Sequence, residues 1–384
     1  MARRTGTYRT TTFGDETVRA FVPEPLPPRA PALDVAGPLA QSIAEANAAV
    51  GKLAVAAQMI PSADWFLYGF VRKEAVMTSQ IEGTQATLQD IVEFEATEKS
   101  ERLDDVQEVC NYVDALNYAR REMNRPKGLP LSARLLCAAH KRLMRGVRGA
   151  NKQPGEIRTS QNRIGVTRPG NARFVPPPPD EARTALAELD QWIHSDDPLP
   201  PLVKAGLAHV QFETIHPFLD GNGRIGRLFI ALLIERWQLL PLPVLYLSVP
   251  LKRRRDEYYA HLTSVRDNGD WEGWLQFFME CVCEAADDAV AAAQRILALL
   301  NEDRRRAIGH ASATVNSTRL FEMLPTHPVM TLSKAMTLLD TTKPTASKAI
   351  DALQQAGVLR ETTGKQRDRV YAYERYLSVL QRGM

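Results

Sequence analysis

The segment His216-Pro-Phe-Leu-Asp-Gly-Asn-Gly-Arg-Ile-Gly-Arg227 gathers a histidine, a carboxylate, three glycines and two arginines into twelve residues. His216 is the one side chain there that can take up a proton near neutral pH. Asp220 is a hard oxygen ligand, suited to a Mg²⁺ ion shared with phosphates. Gly221 and Gly223 reach backbone angles closed to other residues, and successive amides in such a turn, opening onto a helix, make an anion-binding nest. Arg224 and Arg227 are three apart and share one face of the first helical turn, where two forked guanidiniums suit a polyphosphate. The four residues 220–223 alone would equally serve as a tight turn, and the arginines as a solvated helix face. All twelve in this order read as nucleotide phosphates, a metal and a general base, with no protein nucleophile. Direct transfer to an external hydroxyl is the simplest reaction such parts support.

These residues need firm elements on both sides. The pattern is helical from about residue 39 to about 95, and apolar spacings of three and four mark helices over 103–123, 131–144 and 182–193. Helices resume from Pro201 to about Asn301, so the chemical segment lies between two of them. Six prolines from Pro23 to Pro38, among Thr-rich stretches, forbid a long helix and predict an extended arm over the surface. Residues 157–159 and 172–175 flank a Gly/Asn/Pro-containing centre and precede four prolines, which predicts a short β-hairpin over 158–175. The polar stretch 303–317, with three consecutive arginines, is the expected linker. Beyond it, 331–339 and 342–355 read as helices, the second with Pro344 in its first turn and Gly357 at its end. Residues 358–362 and 369–373 then flank a turn at Gly364.

At 384 residues the chain calls for two or three domains, and 44% hydrophobic with 24% charged residues excludes wholesale disorder. The apolar runs at 228–234 and 239–247 are too short to span a bilayer, and the N-terminus lacks the apolar core of a secretory signal. Cys110, Cys137, Cys281 and Cys283 form no CxxC pair and are expected as reduced thiols in a cytoplasmic protein. Residues 317–384 hold ten basic against six acidic side chains, and so the chain's whole net charge of +3.

The twelve residues match the signature of the Fic family, H-P-F-x-D/E-G-N-G-R-x-x-R, at every fixed position. The chain resembles that family from about residue 10 to 299, including Pro154-Gly-Glu-Ile-Arg158, Phe174-Val-Pro-Pro-Pro-Pro179, Gln211-Phe-Glu-Thr-Ile215 and Arg255-Asp-Glu-Tyr-Tyr259. The resemblance implies a mainly α multi-helix core with a β-hairpin flap, and AMP transfer from ATP to a Ser, Thr or Tyr hydroxyl of a target protein, self-modification included. His216 would deprotonate the hydroxyl and Asp220 would hold Mg²⁺. Gly221, Asn222 and Gly223 would form the anion hole, and Arg224, Ile225, Gly226 and Arg227 would complete the ATP site. Gly223 keeps the adenylylation pattern, since family members that phosphorylate depart there. Tyr258-Tyr259 by themselves read as packing, but similarity to the family's Tyr-Tyr segment points Tyr259 at the nucleotide. The hairpin lies where the family has its flap, whose strand edge would hold a target segment; the bland alternative is a structural cover. Trp271 and Trp274 are expected to pack the helix below the site.

Thr78-Ser-Gln-Ile-Glu-Gly83 reads locally as a helix end, with Thr78 and Glu82 on one face and Gly83 as terminator. It also matches the family's inhibitory motif, S/T-x-x-x-E-G/N. The resemblance implies that Thr78, Glu82 and Gly83 form a brake in which Glu82 pairs with Arg227 in the place of the γ-phosphate. The C-terminal order of helix, turn, helix and hairpin resembles a small winged-helix (α+β) domain. Its Lys343, Ser347 and Lys348 would head the recognition helix, and Lys365, Arg367 and Arg369 would tip the wing. DNA binding and protein docking both remain open for it, and steep salt dependence would mark the first. The expected division is 1–100 for the arm and inhibitory helix, 101–302 for the catalytic core, 303–317 for the linker and 318–384 for the winged helix. A homodimer is expected, and no membrane partner. Two rivals stand beside the transferase reading: a DNA-binding regulator whose core senses nucleotide, and an enzyme that chiefly removes AMP from a target.

Overall fold

The computed structural model describes residues 3–13, 15–59, 61–165, 172–240, 242 and 244–383. The chain is mainly helical, with small antiparallel sheets, and divides into two compact units. One unit comprises residues 1–51 and 111–286; the other comprises 52–110 and 287–384.

The first unit begins with a hairpin. Strands β1 (Gly6–Phe13) and β2 (Glu16–Pro23) pair antiparallel from Gly6↔Pro23 to Phe13↔Glu16. This corrects the extended arm expected from the prolines. The first of them, Pro23, is the last residue of β2, so the Thr-, Val- and Phe-rich run before it is free to form strands. Helix α1 (Pro38–Gln58) follows. The core of this unit is α7 (Pro201–Ile215), whose residues from Leu202 onward are all buried, against α8 (Asn222–Arg236). Lys204, His209, Gln211, Glu213 and Thr214 are buried with its apolar residues, so α7 carries polar side chains into the core. Helices α5 (Ala133–Leu143), α6 (Pro179–Ile193) and α10 (Arg255–Asn268) pack around this pair. Trp274, expected below the site, is buried and donates its indole N–H to the Gly206 carbonyl (2.9 Å). Among the described residues of the predicted flap hairpin, Ile164 and Phe174 form an antiparallel bridge closed by bonds of 2.8 and 3.2 Å. Its tip, 166–171, lies outside the described residues.

In the second unit, α2 (Ala63–Ile81) and α3 (Leu88–Thr97) meet the C-terminal residues. Helix α11 (Trp271–Gly309) runs unbroken through the start of the predicted linker. Asp303 is fully buried there, accepting from Tyr373 Oη (2.8 Å) and from Arg375. The three arginines after Asp303 (Arg304, Arg305 and Arg306) are exposed. After α11 come α12 (Val315–Met323), β3 (Val329–Thr331), α13 (Leu332–Leu339), α14 (Lys343–Gln355), β4 (Arg360–Glu361), β5 (Val370–Ala372) and α15 (Glu374–Gln381). The three strands form one antiparallel sheet in the order β3-β5-β4. Thr331 caps α13 by accepting from the Lys334 N–H (3.2 Å), as a Ser/Thr start predicts. Lys343, Lys348, Lys365, Arg367 and Arg369 are all exposed, and Ser347 is half-buried. The four cysteines are free thiols. Among the described residues no helix is long and apolar enough to cross a membrane.

Candidate active site

The loop between α7 and α8 begins where α7 stops. His216 is the C-cap, at φ 50° and ψ 61°, with its N–H still bonded to the Phe212 carbonyl (2.9 Å). A left-handed histidine is unfavourable by about 1 kcal/mol or more, so surrounding contacts must hold it. Pro217 then prevents the helix from resuming. Arg158 supplies the hold: its Nε donates to the His216 carbonyl and its backbone N–H to the Pro217 carbonyl, both at 2.9 Å.

The middle of the loop is braced by two amides. Asn222 accepts the Phe218 N–H and donates to the Phe218 carbonyl, each at 2.8 Å. The Asn162 Nδ2 donates to the carbonyls of Phe218 and Leu219 (3.2 and 3.3 Å). Phe218 itself stacks on His140, with ring centroids 3.9 Å apart and planes within 7°. The Asn222 side chain is thus committed to the loop, which leaves its backbone N–H for an anion.

Helix α8 opens at Gly221, in the left-handed region at φ 76°. Besides that angle, a Cβ at Gly221 would stand 3.0 Å from Met144 Sδ, so glycine suits the site twice over. The first amides of α8 precede its hydrogen-bonded ladder, which starts with Ile225 N–H to the Gly221 carbonyl (3.1 Å), and they form a helix N-terminus suited to a phosphate. Asp220 Oδ1 accepts the Gly221 N–H (2.6 Å) and lies 3.8 Å from Arg224 Nη2, while the carboxylate remains 41% exposed. Arg224 and Arg227 are both buried, and Gly223, like His216 and Asp220, is half-buried. His216 and Asp220 thus lie on the loop, and Arg224 and Arg227 lie in the first turns of α8 that follow it.

Gly226, expected on ATP, has a packing reason to be glycine. A Cβ there would come within 2.2 Å of Glu213 Oε1. Its carbonyl bonds His209 Nδ1 (3.1 Å), whose Nε2 meets Tyr258 Oη (2.8 Å). Burial, with the Arg227 charge second, pushes the His209 imidazole down to about 3, so it is neutral. Tyr258 is buried in this arrangement, whereas Tyr259 is half-buried with the Arg255 guanidinium 5.3 Å from its ring centroid. The pair divides its labour between packing and surface. Ile225 is fully buried in α8 and offers a site only its backbone.

The other predicted residues lie in the second unit. Helix α2 ends at Ile81, Glu82 is its C-cap, and Gly83 follows at φ 101°, the left-handed terminator expected. Thr78 is fully buried and Glu82 half-buried. Among the described residues no group of three or more metal-ligating side chains occurs.

Sequence reasoning missed His140 as part of the site. Its Nδ1 accepts the Gly155 N–H (2.8 Å), so the proton resides on Nε2 and is donated to the Asp220 carbonyl (3.0 Å). Burial lowers its basicity to about 4, in keeping with a neutral ring. The available signal was a histidine in the apolar stripe Leu136, Ala139, Leu143 of α5.

Residues 40–121 match the Fic/DOC family N-terminal region and residues 130–234 match the Fic/DOC family domain. The chain therefore carries the two Fic/DOC regions in succession, with the signature loop inside the second. It is 26% identical over 212 residues to a protein adenylyltransferase Fic of Drosophila grimshawi, covering 54% of this chain and 40% of that one. The corresponding protein of Drosophila willistoni is 27% identical, with 54% and 39% covered. The chain thus spans about 40% of the length of these curated relatives. A Fic family protein from Desulfovibrio desulfuricans superposes with a TM-score of 0.57 at 22% identity, covering 89% of this chain and 97% of that one. Fic-1 (residues 134–508) from C. elegans gives 0.51 at 21%, with 67% and 74% covered. These likenesses show a shared fold.

Proposed function

We propose that this chain transfers AMP from ATP to a Ser, Thr or Tyr hydroxyl of a target protein. The observation that carries the reading is the loop itself: a half-buried histidine caps one buried helix, and the next opens just beyond it, after an exposed carboxylate and carrying two buried arginines. His216 takes the proton of the acceptor hydroxyl as its oxygen attacks the α-phosphorus. A new P–O bond forms, the bond to the β-phosphate bridging oxygen breaks, and pyrophosphate leaves. The amides of residues 222–224 and the guanidiniums of Arg224 and Arg227 accept the phosphate charge, the largest catalytic contribution such a site can make. A Mg²⁺ ion fits Asp220, because this ion is commonly held by one or two carboxylates with phosphate oxygens and water supplying the rest. It would neutralise phosphate charge. The accessible Tyr259 ring suits the adenine side.

The same reading includes the brake. Glu82 ends a helix at a left-handed glycine, in a segment that resembles the family's inhibitory motif, and would fork onto Arg227 where the γ-phosphate binds. A triphosphate displaced there leaves the α-phosphorus out of line. Intact-mass spectrometry after incubation with Mg²⁺-ATP and candidate targets tests all three parts. AMP addition by Glu82→Gly, little by wild type and none by Glu82→Gly/His216→Ala is expected. AMP addition that survives His216→Ala would exclude this histidine as the base, and a Glu82→Gly protein no more active than wild type would exclude the brake.

A further inference from the structure

The transfer reading leaves two fully buried side chains without a role, and both hold the catalytic loop. Arg158 is wholly enclosed, and among the described residues no carboxylate pairs with it. Its guanidinium donates instead to backbone carbonyls: His216 (2.9 Å), Ser160 (3.3 Å), Ile215 (3.4 Å) and Pro177. Two of these end α7, where carbonyls lack helical partners and the helix dipole favours a cation. A buried cation spent on carbonyls is costly, so it persists where the carbonyls themselves must be held. His140 does the equivalent at the other end. It is fixed from one side by Gly155 and donates from the other to the Asp220 carbonyl, one residue before the nest.

We infer that Arg158 and His140 are positioning residues for opposite halves of the reaction, Arg158 for the His216 turn that receives the acceptor's proton and His140 for the Asp220–Gly221 corner that receives the nucleotide. The inference rests on the AMP-transfer reading. It assigns the two residues different signatures. His216 acts on the acceptor hydroxyl, so loosening its turn slows chemistry at saturating ATP. The corner at residues 220–221 meets the phosphates, so loosening it weakens nucleotide binding.

The experiment uses the full chain. Affinity for a non-hydrolysable ATP analogue with Mg²⁺ is measured by calorimetry, and AMP transfer at saturating ATP is measured in the Glu82→Gly background. Arg158→Gln is expected to slow transfer about 100-fold, the effect of a catalytic group displaced by roughly 1 Å. Analogue affinity should stay within about twofold, and Arg158→Lys should recover part of the rate. At position 140 two replacements separate the ring's contacts. His140→Asn keeps an acceptor for the Gly155 N–H but loses the donor to Asp220, and should weaken the analogue about tenfold, the value of one such hydrogen bond. His140→Gln keeps the Asp220 donor and should restore most of that affinity.

Thermal unfolding checks that each variant folds; if Arg158→Gln does not, Arg158→Lys carries the same comparison. Equal losses of binding and rate at Arg158 would overturn its half, and indistinguishable Asn and Gln variants at 140 would overturn the other. If no variant moves AMP to any protein, the transfer reading fails on its own account. The analogue affinities at position 140 still decide whether that residue sets the nucleotide corner.

Discussion

At the scale of single residues, the loop separates groups that face outward from groups that hold them. His216, Asp220 and Gly223 are half-buried, whereas Asn222, Arg224, Gly226 and Arg227 are enclosed. Gly226 belongs to the second set. In Gly226→Ala the new Cβ would stand 2.2 Å from Glu213 Oε1 and 3.3 Å from His209 Cε1, in a core with no slack. We expect a loss of about 1–3 kcal/mol in stability, read as a lower thermal midpoint. Beneath it, His209 sets an acid limit. Its folded-state basicity, near 3, lies below the ordinary value of 6.5, so the unfolded chain binds its proton first on acidification. The stability contributed by the neutral ring is complete above about pH 6.5 and is lost progressively towards pH 3, on the order of a few kcal/mol. Unfolding midpoints across that range should fall less steeply in His209→Gln than in wild type.

At the scale of elements, α2 shows how a glycine inside a helix can serve packing. Its C-terminal end carries Thr78, Glu82 and Gly83, and its middle receives α15. Gly69 makes room: a Cβ there would lie 2.5 Å from Leu380 Cδ2. A mid-helix glycine costs about 1 kcal/mol against alanine, and this one is offset by the close approach it allows. Tyr376 Oη donates to the Trp65 carbonyl (3.0 Å) and Lys73 Nζ to the Arg382 carbonyl (2.8 Å), so α15 is tied at both sides of the notch. Gly69→Leu should cost about 1–3 kcal/mol by overpacking, and Leu380→Ala should restore part of it. A double-mutant cycle checks the coupling; strictly additive effects would show that the two side chains do not share this space.

At the scale of the whole molecule, the compact units cut across the order of the chain. Residues 52–110, of which the sequence division puts 52–100 with the N-terminal arm and 101–110 with the catalytic core, form one unit with 287–384. The buried Asp303 bonds Tyr373 and Arg375 within that unit, and α3 lies against β3. A chain ending at Asn301, a free-standing catalytic piece by the sequence division, would therefore bare the covered sides of α2 and α3. We expect it to bind a hydrophobic dye and to unfold at lower temperature than the full chain. Unchanged unfolding and no dye binding would mean that 302–384 fold apart from 52–110.

The sequence by itself determined which chemistry-bearing residues lie together, because the histidine, carboxylate, glycines and arginines are neighbours within twelve residues across one helix boundary. It also determined features fixed by local backbone preference: the terminator at Gly83, the cap at Thr331, the proline start of α14, and the mainly helical class. The N-terminal hairpin was legible in its β-branched residues but masked by the prolines that follow it. The tertiary structure decided the rest. Arg158 reaches His216 across 58 positions, His140 reaches Asp220 across 80, and Lys73 reaches Arg382 across 309. No period or local preference encodes such pairs, since they depend on which surfaces are complementary once the helices are formed. The same physics spent the Asn222 side chain on Phe218 and made Gly226 a matter of space, so that residues equal in the motif hold unequal roles in the fold.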